Sequence, residues 1–121
     1  MNPKEYHKYF IDNFVKLSPS IGNKLISEQG IYSKAPSNNW INEIISKMSL
    51  EQIKTIKAII KDEREGALHD ALVFINDELC LNETQIYHDG KPMHFDDGGL
   101  TLYQEYVGRK EGDSWEDLME K

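Results

Sequence analysis

Apolar residues recur at steps of three and four through residues 49–81, the longest patterned stretch of the chain. This spacing is the period of an amphipathic α-helix, and it predicts a helix over 50–80 that turns one continuous stripe toward a core. Gly66 lies in the middle of the stretch, but the period continues across it, which favours one long helix or a slight kink. The predicted stripe consists of Ile53, Ile56, Ile60, Ala67 or Leu68, Ala71, Leu72, Ile75 and Leu79.

Shorter helices are predicted on both sides of this stretch, over 3–17, 19–28, 38–48 and 114–120. The first begins with Asn2 as a cap and Pro3 at the first helical position. Its expected buried face is rich in aromatic residues and consists of Tyr6, Tyr9, Phe10, Phe14 and Leu17.

Residues 84–107 have a different texture, with short β-branched and aromatic runs between turn signals. Asp89-Gly90 is a strong hairpin signal, and strands are predicted near 85–88, 93–95 and 100–107. The predicted fold is therefore α+β: one globular domain over 1–121, mainly helical around the long central helix, with a small C-terminal antiparallel sheet.

Charged residues are distributed unevenly along the chain. The net charge is −7, but residues 1–61 carry nine Lys against five acids, and residues 62–121 carry five Lys or Arg against sixteen acids. An acidic half repels nucleic-acid phosphates and attracts basic partners or cations. We therefore expect no nucleic-acid ligand, although a surface kept soluble by its acids is the commoner reason for such a balance.

No membrane segment or secretory signal is expected, because the longest apolar run, 71–75, is far too short to span a bilayer and the N-terminus lacks an apolar segment. Cys80 is the single cysteine and has no partner in the chain. These features predict a soluble protein of a reducing cytoplasm.

The first candidate site is the segment around His69 and Asp70. On a helix, Asp62, Glu65 and His69 follow the three–four spacing, so carboxylates would lie beside the imidazole. Such a pair is able to act as a general base or as half of a metal site. A histidine that hydrogen-bonds another segment is the commoner role.

The second candidate is the acidic, histidine-containing segment 88–97. His88, His94 and Asp96 would converge across a hairpin on a divalent cation such as zinc, manganese or iron. The spacing matches no specific metal signature, and a polar hairpin tip is the commoner explanation.

The third candidate is the segment 103–115, which holds residue types that are enriched at interaction hot spots: Tyr103, Tyr106, Arg109 and Trp115. Arg109 has nearby acids, or Asp70, as possible ion-pair partners. Core packing and structural pairing are the commoner roles of such residues.

Three segments carry a resemblance: 64–70 (REGALHD), 102–109 (LYQEYVGR) and 111–115 (EGDSW). Together they resemble a family of small bacterial domains of unknown function, over roughly the C-terminal half of the chain. The resemblance implies no activity. It implies that these motifs share one domain, so that His69 and Asp70 are expected close to Arg109.

Three functions follow as hypotheses. The first is a non-catalytic bacterial protein-binding domain that presents its acidic half to a basic partner, with an immunity- or antitoxin-like role as one form. The second is a small metal-dependent enzyme that uses the 88–97 residues, or His69 with Asp70; no cofactor is expected under the first hypothesis. The third is a homodimer in which the basic half of one copy docks on the acidic half of another. Pairing of the two halves within one monomer is the commoner arrangement, and the sequence leaves monomer or homodimer open.

Overall fold

A computed structural model describes residues 1–18, 35–95 and 99–119. Within these residues the chain forms five α-helices and a two-stranded antiparallel sheet, which confirms the mainly helical α+β class. The predicted helix 19–28 and the residue Asp96 lie outside the described residues. The elements are α1 (Pro3–Leu17), a 3-10 turn (Pro36–Asn38), α2 (Asn39–Ile45), α3 (Leu50–Leu81), β1 (Tyr87–His88), β2 (Lys91–Pro92), α4 (Leu102–Lys110) and α5 (Trp115–Met119).

The chain divides into two compact units. The terminal unit contains Met1–Leu17 and Ala67–Lys121, and the mid-chain unit contains Ser18–Gly66. The single domain expected over 1–121 stays a prediction, because a division by packing does not show whether either unit folds alone.

The predicted central helix is confirmed as α3, which runs without interruption through Gly66. Its start is fixed by a reciprocal pair of bonds: the Gln52 N–H donates to Ser49 Oγ (3.1 Å), and the Ser49 N–H donates to Gln52 Oε1 (2.9 Å). This capping box satisfies two backbone donors that the first helical turn leaves without partners. Among the described residues, no helix combines the length and the apolar character that crossing a bilayer would need.

The hairpin forms where its turn residues predicted it. Asp89 and Gly90 both have positive φ angles (51° and 75°), as a tight two-residue hairpin turn of the primed type requires. The strand expected at 93–95 is wrong: the paired residues are Lys91–Pro92, opposite Tyr87–His88. A two-residue turn places the returning strand directly after Gly90 and therefore ahead of the predicted position.

The strand predicted over 100–107 is also wrong, because these residues begin helix α4. Thr101 and Gln104 form a capping box at its start. Leu102 and Tyr106, one helical turn apart, are both fully buried. A spacing of four residues fits one face of a strand as well as one face of a helix, and the capping box decides for the helix.

The remaining helices are shorter than predicted. Helix α2 ends at Ile45 instead of residue 48, because the following amides bond three residues back, as in a 3-10 turn: Lys47 N–H to Ile44 O and Met48 N–H to Ile45 O. The tail helix α5 begins after Ser114, whose Oγ accepts the Asp117 N–H (3.1 Å).

The core of the terminal unit is formed by α1, α3, α4 and the hairpin. Tyr6, Phe10 and Phe14 of the predicted α1 face pack against this core. Tyr9 and Leu17 are about half exposed, and His7 and Ile11 are the buried residues of the helix. Ala67 and Ala71 of the predicted α3 stripe are exposed. The buried residues of this core are Ile11, Leu72, Leu79, Met93, Leu102 and Tyr106.

Candidate functional site

A buried histidine–carboxylate pair joins the first helix of the chain to α4. His7 Nε2 lies 2.9 Å from Glu105 Oε1 and 2.8 Å from Oε2, and 4% of each side chain is exposed. The other ring nitrogen, His7 Nδ1, is buried and has no hydrogen-bond partner among the described residues. At this exposure a dissolved substrate does not reach the pair, so its role is to fix α1 against α4.

A second network lies nearer the end of α4 and is centred on Asp12 of α1. Arg109 donates from Nε to Asp12 Oδ1 (2.8 Å) and from Nη1 to the Asp113 carbonyl (2.9 Å). The Trp115 indole N–H donates to Asp12 Oδ2 (3.1 Å), and the Arg109 guanidinium lies 5.2 Å from the Trp115 ring centre. One carboxylate therefore holds two side chains that also stack on each other.

The network includes two of the predicted interaction residues, and a third lies in the core. Arg109 and Trp115 come together, but Arg109 pairs with Asp12 rather than with Asp70 as considered from the sequence. Tyr106 is fully buried, so it is a core residue and offers no contact surface.

His69 and Tyr103 also come together, as an edge-to-face ring pair with centres 5.1 Å apart. His69 Nδ1 lies 3.5 Å from Asp70 Oδ1, at the edge of hydrogen-bond distance. The Asp70 side chain is 85% exposed. The expected closeness of His69 and Asp70 to Arg109 stays a prediction.

The histidines of the predicted metal hairpin have separate surroundings. The His88 ring stacks on Tyr6 with centres 4.4 Å apart and planes 17° apart, and its Nδ1 lies 3.5 Å from Asp89 Oδ2. His94 is exposed, and Asp96 lies outside the described residues. Within the described ranges no three His, Cys, Asp or Glu side chains are grouped as a metal ion requires.

An apolar cavity of about 410 Å³ opens in the mid-chain unit. Ile45 and Ile53 form the buried centre of this unit, whereas Trp40 and Ile44 are 65% and 51% exposed at the cavity. The cavity is lined by Trp40, Ile41, Ile44, Ile45, Met48, Ile56 and Ile60.

The outer face of α3 in the terminal unit exposes a large aromatic side chain. Phe74 is 65% exposed and Leu81, two turns later, is 74% exposed. Asp70 and Asp77 lie four and three residues from Phe74 and are also exposed. Leu72 and Leu79 on the opposite face of the helix are buried, so Phe74 lies on the side of α3 that faces away from the core.

Comparison with known proteins identifies the family. The chain matches a family of unknown function (DUF6547) over residues 1–117. The chain belongs to this family. The DUF6547 match confirms the expected membership of a family of unknown function, and it covers almost the whole chain rather than the C-terminal half. No curated protein and no solved structure matches the chain.

The sequence reasoning missed His7, Asp12, Glu105 and Phe74. His7 is four residues before Ile11 and so shares its helical face, a signal that the aromatic residues beside it obscured. Glu105 was missed because 100–107 was predicted as a strand, in which neighbouring residues such as Glu105 and Tyr106 face opposite sides. Asp12 carried no local signal, because its partners are 97 and 103 residues away.

Proposed function

We propose that this DUF6547 chain is a non-catalytic protein-binding domain whose terminal unit binds a basic partner protein. The observation that carries the proposal is the segregation of charge between the two units. The terminal unit has seven Lys or Arg against fifteen Asp or Glu, a balance of −8, whereas the mid-chain unit has seven against six, a balance of +1.

Internal pairing accounts for only part of the acidic charge. Asp12 and Glu105 are paired with Arg109 and His7 inside the unit. Many other carboxylates of the unit lie at the surface, where they add to a negative potential that steers a positive partner and sets its on-rate. These exposed residues are Glu5, Asp70, Asp77, Glu83, Asp89, Glu111 and Glu116.

The buried polar groups support binding rather than catalysis. The buried His7–Glu105 pair is closed to solvent, and the rings of His69 and His88 contact Tyr103 and Tyr6. An immunity- or antitoxin-like role in a bacterial cytoplasm, against a basic toxin, is one specific form of this proposal that suits the chain's size and charge.

The experiment is affinity capture of a partner by the immobilised chain at about 50 mM and about 500 mM salt, which changes the Debye length from well above to well below 10 Å. We expect one soluble protein of net positive charge to be retained at low salt and released at high salt. The test variant is Asp77→Lys with Glu111→Lys in the terminal unit.

The matched control is Glu51→Lys with Glu63→Lys, which makes the same change in net charge in the mid-chain unit at two exposed positions. Capture should be lost in the first variant and kept in the second. Equal loss in both variants, a neutral or acidic partner, or no retained protein would overturn the proposal.

A further inference from the structure

We infer that the basic partner docks on the exposed face of α3 between Ala67 and Leu81, with Phe74 at its centre. We call this surface the Phe74 face; it consists of Ala67, Asp70, Ala71, Phe74, Asp77 and Leu81. The inference rests on the proposed function and names the contact surface and the chemistry of the docking segment.

The Phe74 face follows from the helical period. Residues three, four and seven positions apart lie on one side of a helix, so Phe74 shares its side with Ala67 and Leu81, seven residues before and after it. Both Phe74 and Leu81 are more exposed than buried, at 65% and 74%. Their small neighbour Ala71 leaves the Phe74 ring accessible, and the opposite side of α3 holds the helix in place through Leu72 and Leu79.

Carboxylates flank the aromatic ring on the same side of the helix. Asp70 and Asp77 are seven residues apart, which is about 10 Å along the helix axis. Phe74 lies between them. Glu78 is adjacent in sequence but already accepts bonds from Asn82 Nδ2 (2.9 Å) and Thr84 Oγ1 (3.2 Å), so it is occupied at the end of α3.

This arrangement selects an arginine-bearing amphipathic segment. A guanidinium group stacks flat against an aromatic ring and donates two parallel bonds to a carboxylate, so arginine fits this surface better than lysine, whose ammonium group is a point charge. Two arginines seven residues apart on a partner helix have the spacing of Asp70 and Asp77. An apolar side chain between those arginines would cover the Phe74 ring, as the apolar anchor of a helix–helix contact does.

The apolar cavity at Trp40 is the alternative surface, and its charges do not favour a basic partner. Trp40 is as exposed as Phe74, at 65%. The charges nearest to it on α2 and just beyond are Glu43 and Lys47, which form an ion pair with each other (3.7 Å) and cancel. Charge complementarity therefore assigns a basic segment to the Phe74 face.

The test is site-specific photo-cross-linking in cells of the source organism, with p-benzoylphenylalanine in place of Phe74 or, in the matched control, in place of Trp40. Both positions are equally exposed, so the probe has equal access to solvent at each. We expect an adduct at position 74 whose cross-linked segment contains arginines about seven residues apart, and no such adduct at position 40.

The second test measures the affinity of purified wild-type and variant chains for the partner that the cross-link identifies. Phe74→Ala should weaken binding about thirtyfold, as loss of a central hot-spot residue does, and Trp40→Ala should leave it unchanged. Asp70→Asn with Asp77→Asn should weaken binding about tenfold and reduce its salt dependence. Melting of each variant at the wild-type temperature shows that the loss is not unfolding.

The outcomes separate the inference from the proposed function. An adduct to a basic protein at position 40 alone, or full binding by Phe74→Ala, overturns the Phe74 face and leaves the basic partner standing. An acidic or neutral partner, or no adduct at either position together with no capture by the wild-type chain, overturns both.

Discussion

His7 and Glu105 form a bond between residues 98 positions apart, with both carboxylate oxygens within 2.9 Å of one ring nitrogen. The pair is almost fully buried, and the Trp115 ring packs edge-on at 6.0 Å from the imidazole centre. Because water is excluded here, each group offsets the desolvation cost of the other through the hydrogen bond; either group buried without its partner would keep that cost in full.

Removal of either partner should destabilise the terminal unit strongly. We expect His7→Leu and Glu105→Leu each to lower the free energy of unfolding by about 3 kcal/mol, because each leaves one buried polar group unpaired. The double variant should lose less than the sum, since it leaves no unpaired group. Urea unfolding of the four proteins measures this cycle, and additive losses would contradict the coupling.

Replacing Arg109 by lysine should not preserve the Asp12 network. Lysine keeps the charge but loses the planar stack on Trp115 and the fixed second donor to the Asp113 carbonyl, so we expect a loss of about 1–2 kcal/mol. Trp115 fluorescence should shift to longer wavelength as the indole loosens. The control is Lys110→Ala, which removes the neighbouring charge and its contact with Tyr106 (5.7 Å) for about 0.5 kcal/mol. Wild-type stability and fluorescence of Arg109→Lys would show that the positive charge alone is enough to hold the network.

Asn76 should be needed for the start of α4. Its Oδ1 accepts the Leu102 N–H (3.0 Å) in a buried position, and this N–H has no partner within its own helix. Asn76→Leu keeps the branched shape of the side chain but removes the acceptor, so we expect a loss of about 1–3 kcal/mol and faster hydrogen exchange at the Leu102 amide. Asn82→Ala, at an exposed bond to Glu78, is the control. Unchanged exchange at Leu102 would show that another group supplies the acceptor.

Gly66→Ala should stabilise α3 by about 1 kcal/mol, because alanine is the better helix former and nothing lies within 4 Å of the added methyl. Gly108→Ala is the informative comparison in α4. Its added methyl would lie 2.5 Å from Leu118 Cδ2 and 3.2 Å from Asp113 Oδ2, so the packing cost should cancel the helical gain. Urea unfolding should give a higher midpoint for Gly66→Ala and an unchanged midpoint for Gly108→Ala. A lower midpoint for Gly66→Ala would indicate a role for the Gly66 backbone.

The sequence predicted α1 and α3 well because each has a cap and a periodic apolar face. Asp89-Gly90 predicted the hairpin for a similar local reason: few residue pairs adopt two positive φ angles. The prediction for 100–107 was wrong because eight residues form only about two helical turns, too few to distinguish a strand period of two from a helical period of three to four. The Thr101–Gln104 capping box was the signal that should have decided it.

The candidate site was less predictable than the fold. Arg109, Trp115, His69 and Tyr103 were chosen for their residue types, and the structure brings them together in two pairs. The carboxylate that holds the Arg109–Trp115 pair, Asp12, is 97 and 103 residues from its two partners. Pairing at that distance depends on tertiary packing, which no local pattern encodes.

The separation of His7 and Glu105 in sequence also sets how late during synthesis their bond can form. A ribosome adds about 5–20 residues per second, so about 5–20 s pass between the synthesis of His7 and that of Glu105. During this interval the α1 side chains Tyr6, Phe10 and Phe14 have no α4 to pack against. The core of the terminal unit is therefore completed only after α4 has been synthesised, long after the aromatic residues of α1 that pack against it.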